Sequence, residues 1–177
     1  MPPKRRAKSY LIITNISKRK NVKSLLLEAA AFGCSEIFVA GQKKFEFDPD
    51  AADGTDVPPQ LGHHLRSGAM AITRFDGIEE CVAHIRSMAG GGDLPGPVRI
   101  VGVEIDDGAI DVEDEPFEGD TAFMMGNEGQ GMNEKQMNVC DGFVRIAQYG
   151  GGTASLNVSV AAGIVLHRFH HWSMSEG

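Results

Sequence analysis

The chain has 177 residues, of which 42% are hydrophobic and 23% are charged, and it carries a formal net charge of −7. This length and composition fit one globular domain and exclude a disordered chain and a membrane protein, since no apolar stretch reaches the roughly 18 residues that a spanning helix requires. The N-terminus lacks the apolar segment of a secretory signal peptide, which predicts an intracellular and in the first place cytoplasmic protein, with nucleus and mitochondrion as alternatives.

The charges are unevenly distributed along the chain. Eight of the 17 lysines and arginines lie within the first 23 residues, whereas acidic residues dominate positions 104–120. The net negative charge excludes nucleic-acid binding by bulk charge alone, but the basic N-terminal segment could still hold a phosphate backbone.

Neither the cysteines nor the histidines predict a metal site. The cysteines are widely spaced and form no CxxC pair, which indicates reduced thiols rather than a disulfide framework or a zinc site. They are Cys34, Cys81 and Cys140. His167, His170 and His171 have a helical spacing that can ligate a metal, but the nearby sequence offers no evident further ligand. We therefore expect a solvated helix end there and no metal.

The first forty residues predict a parallel β–α–β unit. The apolar run Tyr10–Ile16 is typical of a strand, and the helix after it has Asn21 as its predicted N-cap and Gly33 as the residue that ends it. The short apolar segment Glu36–Ala40 is the second strand. This order of elements, with these loop lengths, favours parallel pairing.

The rest of the chain continues this alternation. Residues 41–60 are polar and aperiodic, which predicts an exposed loop. Further strands are predicted at Ala69–Phe75, Val98–Ile105, 121–126 and 143–147. Further helices are predicted at Gly77–Ala89, after a capping pair of Asn133 and Gln136, and over 155–171. The predicted fold class is α/β, with a parallel six-stranded sheet and helices on both faces.

Two glycine-rich turns follow predicted strands directly. One is GNEGQG at 126–131 and the other is QYGGGTAS at 148–155. The carboxyl ends of parallel strands meet at one edge of a sheet, where ligands bind, and glycines let backbone groups approach a ligand closely. Neither turn matches a dinucleotide fingerprint or a P-loop. The residues by themselves predict a small-molecule site at this edge.

Three segments carry a resemblance to a known family. GNEGQGM after an apolar strand, and CDGFVRI followed by SLNVSVAAG, are similar to the second and third motifs of the SpoU family of the SPOUT superfamily, the RNA ribose 2′-O-methyltransferases. NVKSLLLEAAAFG resembles the first motif of that family in its length, its initial asparagine and its last residues. The resemblance runs from Tyr10 to Phe169, with the motifs in the order and spacing of the family.

The resemblance implies a fold and a cofactor. It implies a C-terminal segment threaded through a loop as a deep trefoil knot, and a homodimer formed through the knot region and the last helix. It also implies S-adenosylmethionine bound among the knot loops, largely by backbone groups, with no metal and no membrane. By match of position, the implied cofactor-binding residues are Glu104, Gly126, Gly131, Ile146, Ser155 and Leu156.

The resemblance further implies catalytic and RNA-binding residues. A ribose 2′-hydroxyl attacks the methyl group of the cofactor, so positioning and a proton acceptor supply most of the rate. The residues that match the catalytic pocket of the family are Asn21, Glu128, Ser155 and Asn157. Taken singly, each of the four could instead cap a helix or occupy an exposed turn. The cations expected to meet RNA phosphates are Arg19, Lys20 and Lys23.

The first motif departs from the family at two positions. Leu27 stands where the family carries an arginine that helps to activate the hydroxyl or hold its neighbouring phosphate, and Lys23 replaces a glycine. Helical geometry places Leu27 on the polar face with Lys20 and Lys23. Three explanations stay open. A cation from Arg19, Lys20 or Lys23 substitutes, Arg145 does so across a dimer, or the protein binds cofactor and RNA without efficient transfer.

The predicted function is S-adenosylmethionine-dependent 2′-O-methylation of transfer or ribosomal RNA. The alternative is a catalytically impaired SpoU homologue that binds cofactor and RNA. An α/β nucleotide-binding hydrolase is disfavoured, because no nucleophile and base stand out as a pair. The predicted organisation is a basic tail at 1–9, a single methyltransferase domain at 10–172 and a C-terminal tail at 173–177.

Overall fold

The computed structural model describes residues 6–42, 45, 58–88, 96–151 and 155–175. Most of the predicted loop at 41–60, the first five residues and residues 152–154 lie outside the described part. The strands are β1 (Ser9–Ile13), β2 (Glu36–Ala40), β3 (Ala71–Phe75), β4 (Arg99–Val103), β5 (Ile110–Asp111), β6 (Thr121–Met125) and β7 (Gly142–Arg145). The α-helices are α1 (Arg19–Ala31), α2 (Gly62–Arg66), α3 (Ile78–Ser87), α4 (Glu134–Asn138) and α5 (Val158–Ser175).

The strands form one parallel sheet in the order β3-β2-β1-β6-β4-β7-β5. The predicted number of six strands is wrong, because the described residues contain seven. The additional strand, β5, has only two residues and lies within the acidic segment, where no apolar alternation marks it. Its register pairs Asp111 with Arg145 of β7, and the Arg145 Nε donates to the Asp111 Oδ1 at 2.6 Å.

Helices cover both faces of the sheet, as predicted. All five residues of β1 are buried, and their side chains alternate between two clusters. Leu11 and Ile13 belong to the cluster that contains the apolar residues of α1 and α5, whereas Tyr10 and Ile12 belong to the cluster of α3. A strand that is apolar on both faces is the type expected in the middle of a parallel sheet. The observed fold class is therefore α/β.

The first helix begins earlier than its sequence predicts. The N-cap of α1 is Lys18, so the prediction that Asn21 is the N-cap is wrong. The Lys18 carbonyl accepts from the Asn21 and Val22 backbone N–H groups, and the Lys18 N–H donates to Glu128. The Glu128 carboxylate, which lies far away in the sequence, thus accepts a hydrogen bond from the backbone N–H of the N-cap residue. Asn21 lies within the first helical turn of α1.

The end of α1 and the start of α4 confirm their sequence signals. Gly33 has a φ of +70°, its N–H donates to the Ala30 carbonyl, and the Cys34 N–H donates to the Ala29 carbonyl. These two bonds form a Schellman motif, in which glycine accepts the left-handed conformation without strain. The predicted pair of Asn133 and Gln136 forms a capping box at the start of α4.

The last helix begins at Val158, three residues after the predicted start, and continues to Ser175. It packs closely against α1, because a Cβ at Gly163 would lie 3.1 Å from the Glu28 Oε2. One side of α5 is buried, whereas Val160 on another side is 50% exposed. In the described part of the chain, no helix has the length and apolarity needed to span a bilayer.

Candidate functional site

A cavity of about 380 Å³ lies at the carboxyl ends of β4, β6 and β7. Its walls come from the residues that follow these three strands and from the start of α5, which is where ligands bind in parallel α/β sheets. All six residues predicted to bind a cofactor line this cavity. They are Glu104, Gly126, Gly131, Ile146, Ser155 and Leu156.

The wall of the cavity after β6 depends on close approach to the Glu104 carboxylate. The Glu104 Oε2 accepts from the Met132 N–H at 2.9 Å, and a Cβ at Gly131 would lie 2.6 Å from this oxygen. Gly131 also has a φ of +70°. A Cβ at Gly126 would lie 2.9 Å from the backbone of Gly131 and Met132. Glycine is therefore required at both positions for a steric reason.

We expect Gly126→Ala to weaken small-molecule binding in this cavity by about tenfold or more, because the backbone must shift and such strain costs about 1–3 kcal/mol. The matched control is Gly129→Ala in the same turn, where the nearest atom to an added Cβ is the Asn127 Oδ1 at 3.8 Å. Calorimetric titration of both variants with S-adenosylmethionine measures the difference. Equal affinities for the two variants would contradict the steric argument.

Glu128 accepts four hydrogen bonds from the beginning of α1. Its Oε1 accepts from the Asn21 Nδ2 at 2.8 Å and from the Lys18 N–H at 3.1 Å. Its Oε2 accepts from the Ser17 N–H and the Ser17 Oγ, both at 3.0 Å. Glu128 lies in a turn, as the alternative interpretation has it, but there it is half-buried rather than exposed. The carboxylate fixes the turn after β6 to the loop after β1.

Asn21 connects Glu128 to the beginning of α5. Asn21 is only 3% exposed, and its Oδ1 accepts from the Asn157 Nδ2 at 3.2 Å. The Asn157 Oδ1 in turn accepts from the Ser159 N–H at 2.9 Å and from its Oγ at 2.7 Å, as an N-cap does. Three predicted pocket residues therefore form one chain of hydrogen bonds, which we call the Asn21 network (Glu128, Asn21 and Asn157). Ser155, the fourth, is exposed and lines the cavity.

The hydrogen bonds to Glu128 hold it ionised. Partial burial acts to raise the pKa of Glu128, but the bonds from the Asn21 side chain and from the Ser17 and Lys18 backbone outweigh burial and lower the pKa from 4.5 to about 2. Glu128 is therefore a fixed acceptor. A proton acceptor for chemistry near neutral pH would need a much higher pKa.

The depressed pKa of Glu128 predicts how stability depends on pH. Because the folded-state pKa lies below the unfolded value, the contribution of Glu128 to stability is complete above about pH 4.5 and is lost as the pH falls toward about 2. Glu128→Gln removes this contribution at neutral pH. We expect the urea midpoints of the wild type and the variant to differ at pH 7 and to converge toward pH 2. A difference that is independent of pH would contradict this assignment.

Sequence reasoning did not identify Asn127 and Ser17 as residues of the site. The Asn127 Nδ2 donates to the Asn15 carbonyl at 2.8 Å and to the Ser17 Oγ at 2.9 Å. From the opposite side, the Gln42 side chain forms two hydrogen bonds with the Ile16 backbone. Hydrogen bonds from Asn127, which follows β6, and from Gln42, which follows β2, therefore hold the loop after β1 on both sides. Asn127 lies within the glycine-rich turn, which was the available signal, whereas no sequence pattern marks Ser17.

Residues 8–167 match the model of the SpoU rRNA methylase family, which is most of the chain. The chain belongs to the SpoU family. Among curated relatives it is similar to a 23S rRNA (guanosine-2′-O-)-methyltransferase, RlmB, of Acinetobacter baylyi, with 26% identity over 160 residues. The match covers 89% of this chain and 57% of that protein, so this SpoU chain spans little more than half the length of the relative.

Solved structures of SpoU proteins share the fold. The SpoU methyltransferase AviRb from Streptomyces viridochromogenes has a TM-score of 0.74 and 23% identity, and the match covers 98% of this chain and 63% of that one. The same protein, solved in complex with the cofactor AdoMet, gives a TM-score of 0.71 and 24% identity, with 98% and 60% coverage. At this level of identity the likeness establishes the fold alone.

The departure of this SpoU chain from the first motif lies on an exposed face of α1. Leu27 is 37% exposed, whereas its neighbours Leu25 and Leu26 are completely buried. Lys20 and Lys23 are exposed on the same helix, as the helical geometry predicted. Arg19 is exposed as well. The three predicted RNA-binding cations therefore lie at the surface, one to five residues after the N-cap of α1.

His167, His170 and His171 are exposed, as predicted, although helix α5 continues beyond them to Ser175. The His167 ring lies edge-on to Phe32 at 5.7 Å, and the His171 Nδ1 is 3.7 Å from the Glu115 carboxylate. In the described ranges of this SpoU chain, no cluster of three or more histidines, cysteines, aspartates or glutamates has a geometry that could hold a metal ion. The three cysteines are free thiols.

Proposed function

We propose that this SpoU chain is an S-adenosylmethionine-dependent RNA ribose 2′-O-methyltransferase. The observation that carries the proposal is the Asn21 network, in which hydrogen bonds join residues of all three motifs beside one cavity. The family match supports the reaction class. The name of the relative RlmB, a guanosine-2′-O-methyltransferase of 23S rRNA, supports the ribose hydroxyl as acceptor.

The cavity suits the proposed cofactor. Its volume of about 380 Å³ lies within the usual range for small-molecule sites, roughly 300–1,000 Å³. The glycines at 126 and 131 leave backbone groups uncovered in its wall, and Ile146 and Leu156 offer apolar surface for an adenine ring. The Glu104 and Glu128 carboxylates in the same wall favour a ligand with positive charge, such as a sulfonium. When bound, S-adenosylmethionine supplies an activated methyl group.

The residues of this chain would then position the ribose hydroxyl that receives the methyl group. The ribose 2′-oxygen would bond to the methyl carbon as the bond of that carbon to the cofactor sulfur breaks, and the hydroxyl proton would pass to solvent water. Glu128 cannot accept this proton near neutral pH, because its pKa is about 2 and both oxygens already accept two hydrogen bonds each. We assign Glu128 and Asn21 to holding the pocket, and Ser155, which is exposed in the cavity wall, to contact with the substrate.

The proposed substrate is transfer or ribosomal RNA. Arg19, Lys20 and Lys23 are placed to meet its phosphates, because α1 begins where Glu128 holds the loop after β1 beside the cavity. The acidic segment at 104–120 borders the cavity as well, because its first residues, Glu104 and Ile105, line the cavity wall. A polyanion is therefore expected to run over α1 and away from that segment.

We also propose a single knotted, dimeric domain, for which the sequence predicted the bounds 10–172 and tails at 1–9 and 173–177. Strand β1 begins at Ser9 and helix α5 continues to Ser175, so the ordered elements extend slightly beyond those bounds at both ends. The proposed knot threads the C-terminal segment through a loop, and the proposed dimer pairs the knot region and α5. Val160 supports this pairing, since it is an apolar residue on α5 that is 50% exposed. Arg145 is an alternative source of the missing cation across the dimer, although its guanidinium already pairs with Asp111 at 2.6 Å.

A second candidate is a SpoU homologue that binds cofactor and RNA without efficient transfer. The observation that favours it is Leu27, since a leucine neither accepts a proton nor pairs with phosphate. Both candidates predict calorimetric binding of S-adenosylmethionine. Only the first predicts transfer of tritiated methyl groups to total RNA, with nuclease digestion yielding 2′-O-methylated nucleotides. Absence of cofactor binding would contradict both.

A further inference from the structure

One large aromatic side chain near the cavity has no role in the site described so far. Tyr149 is 89% exposed, whereas the other tyrosine, Tyr10, is 5% exposed and stacks on Phe38. Tyr149 directly follows Gln148, which lines the cavity. Consecutive Cα atoms are about 3.8 Å apart, so the backbone of Tyr149 lies directly beside a residue of the cavity wall.

The space around Tyr149 is open. A Cβ added at Gly150 or Gly151 would meet no heavy atom within 4 Å. Gln148 and Ser155, on either side of the glycine-rich segment, both line the cavity. A flat ligand can therefore approach the ring without displacing other parts of the described structure.

We propose that Tyr149 is a stacking platform for an RNA base beside the methylated ribose, an inference that rests on the proposed function. The target ribose must enter the cavity rim for its 2′-hydroxyl to reach the methyl group. A volume of about 380 Å³ that already holds the cofactor leaves no room for the attached base, which stays at the rim. Base stacking on an aromatic ring tolerates every base, so Tyr149 positions the nucleotide and does not choose its identity.

Tyr149 and the cations of α1 would hold the same strand through different forces. Lys20 and Lys23 meet phosphates, and such contacts weaken as salt increases. Stacking on Tyr149 does not release counterions, so its loss leaves the salt dependence unchanged. This difference separates the two contributions experimentally.

The test compares a uridine oligonucleotide of about ten nucleotides with an abasic strand of the same length, which keeps the phosphates and lacks the bases. The wild type should bind the uridine strand about tenfold more tightly, a difference of about 1.4 kcal/mol. Tyr149→Ala should lose most of this preference and keep the salt slope. Tyr149→Phe should retain the preference, because stacking requires the ring and not the hydroxyl.

Three results would overturn the assignment. They are a wild type without base preference, a Tyr149→Ala variant that keeps both the preference and the sedimentation of the wild type, and a Tyr149→Ala variant that keeps the preference while its sedimentation changes. The last would place the ring between two copies of the chain. Calorimetry with S-adenosylmethionine and methyl transfer by the wild type are measured in parallel. Failure of these refutes the proposed function, whereas failure of the base preference alone refutes only the role of Tyr149.

Discussion

Asn21→Asp should reduce kcat for methyl transfer by about 100-fold, an effect of the size expected when reacting groups are displaced by about 1 Å. The Asn21 Nδ2 donates to the Glu128 Oε1 at 2.8 Å, and the substitution places a second carboxylate at this distance. Two carboxylates so close cannot both be ionised without strong repulsion. Glu128 would move, and with it the turn that lines the cavity. Neutral asparagine is therefore required between Glu128 and Asn157.

Asn138→Asp provides the matched control, since Asn138 is an exposed residue at the end of α4 and gains the same charge. We expect its kcat to stay near that of the wild type. Affinity for S-adenosylmethionine should fall as well in Asn21→Asp, because the displaced turn lines the cavity, so kcat is compared at saturating cofactor. Rate and affinity are measured by single-turnover transfer and by calorimetry, with thermal unfolding as a check on folding. Equal rates for both variants would exclude a role of the Asn21 network in catalysis.

Local patterns in the sequence were sufficient for much of the fold. The end of α1 at Gly33 and the capping box of Asn133 and Gln136 depend on residues within a few positions of each other, and both are as predicted. The buried strands β1 and β6 were recognisable because a strand buried on both faces reads as a continuous apolar run. The position of the cavity was predictable from the glycine-rich turn after β6, because this turn directly follows the strand in the sequence and lines the cavity.

Features that depend on distant residues were missed. The start of α1 is set by Glu128, which is 110 positions away from Lys18, and no local signal in residues 15–20 encodes this contact. Strand β5 pairs with β7, where Asp111 lies opposite Arg145, although its two residues carry no strand pattern. The link of Asn127 to the loop after β1 is equally nonlocal.

The contacts within the site also join residues that are distant in the sequence. Asn21, Glu128 and Asn157 were assigned through the family resemblance, and each had an innocuous local interpretation. Their hydrogen bonds to one another give each residue a partner from another motif besides any local role, and the catalytic assignment stays a prediction. Asn157 does both, since it accepts from Ser159 and donates to Asn21.

Leu27→Arg should raise kcat for methyl transfer by about 100-fold if the missing arginine is what limits this chain. General acid–base groups contribute about 10²–10⁴-fold, and the family carries an arginine at this position of α1. The exposed setting of Leu27 makes the change tolerable, since a 37% exposed side chain can turn its charged end into solvent. Single-turnover transfer of tritiated methyl groups to total RNA, at saturating cofactor, measures the rate.

Ala31→Arg is the matched control, because Ala31 is exposed one helical turn further along the same face of α1. Both variants add one positive charge, so both should increase RNA affinity and steepen its salt dependence by a similar amount. Only Leu27→Arg should raise kcat. A gain shared by both variants would indicate a general effect of charge. If neither variant gains activity, the side chain at position 27 does not limit the rate. Such a result would mean that Arg19, Lys20, Lys23 or Arg145 already supplies the cation.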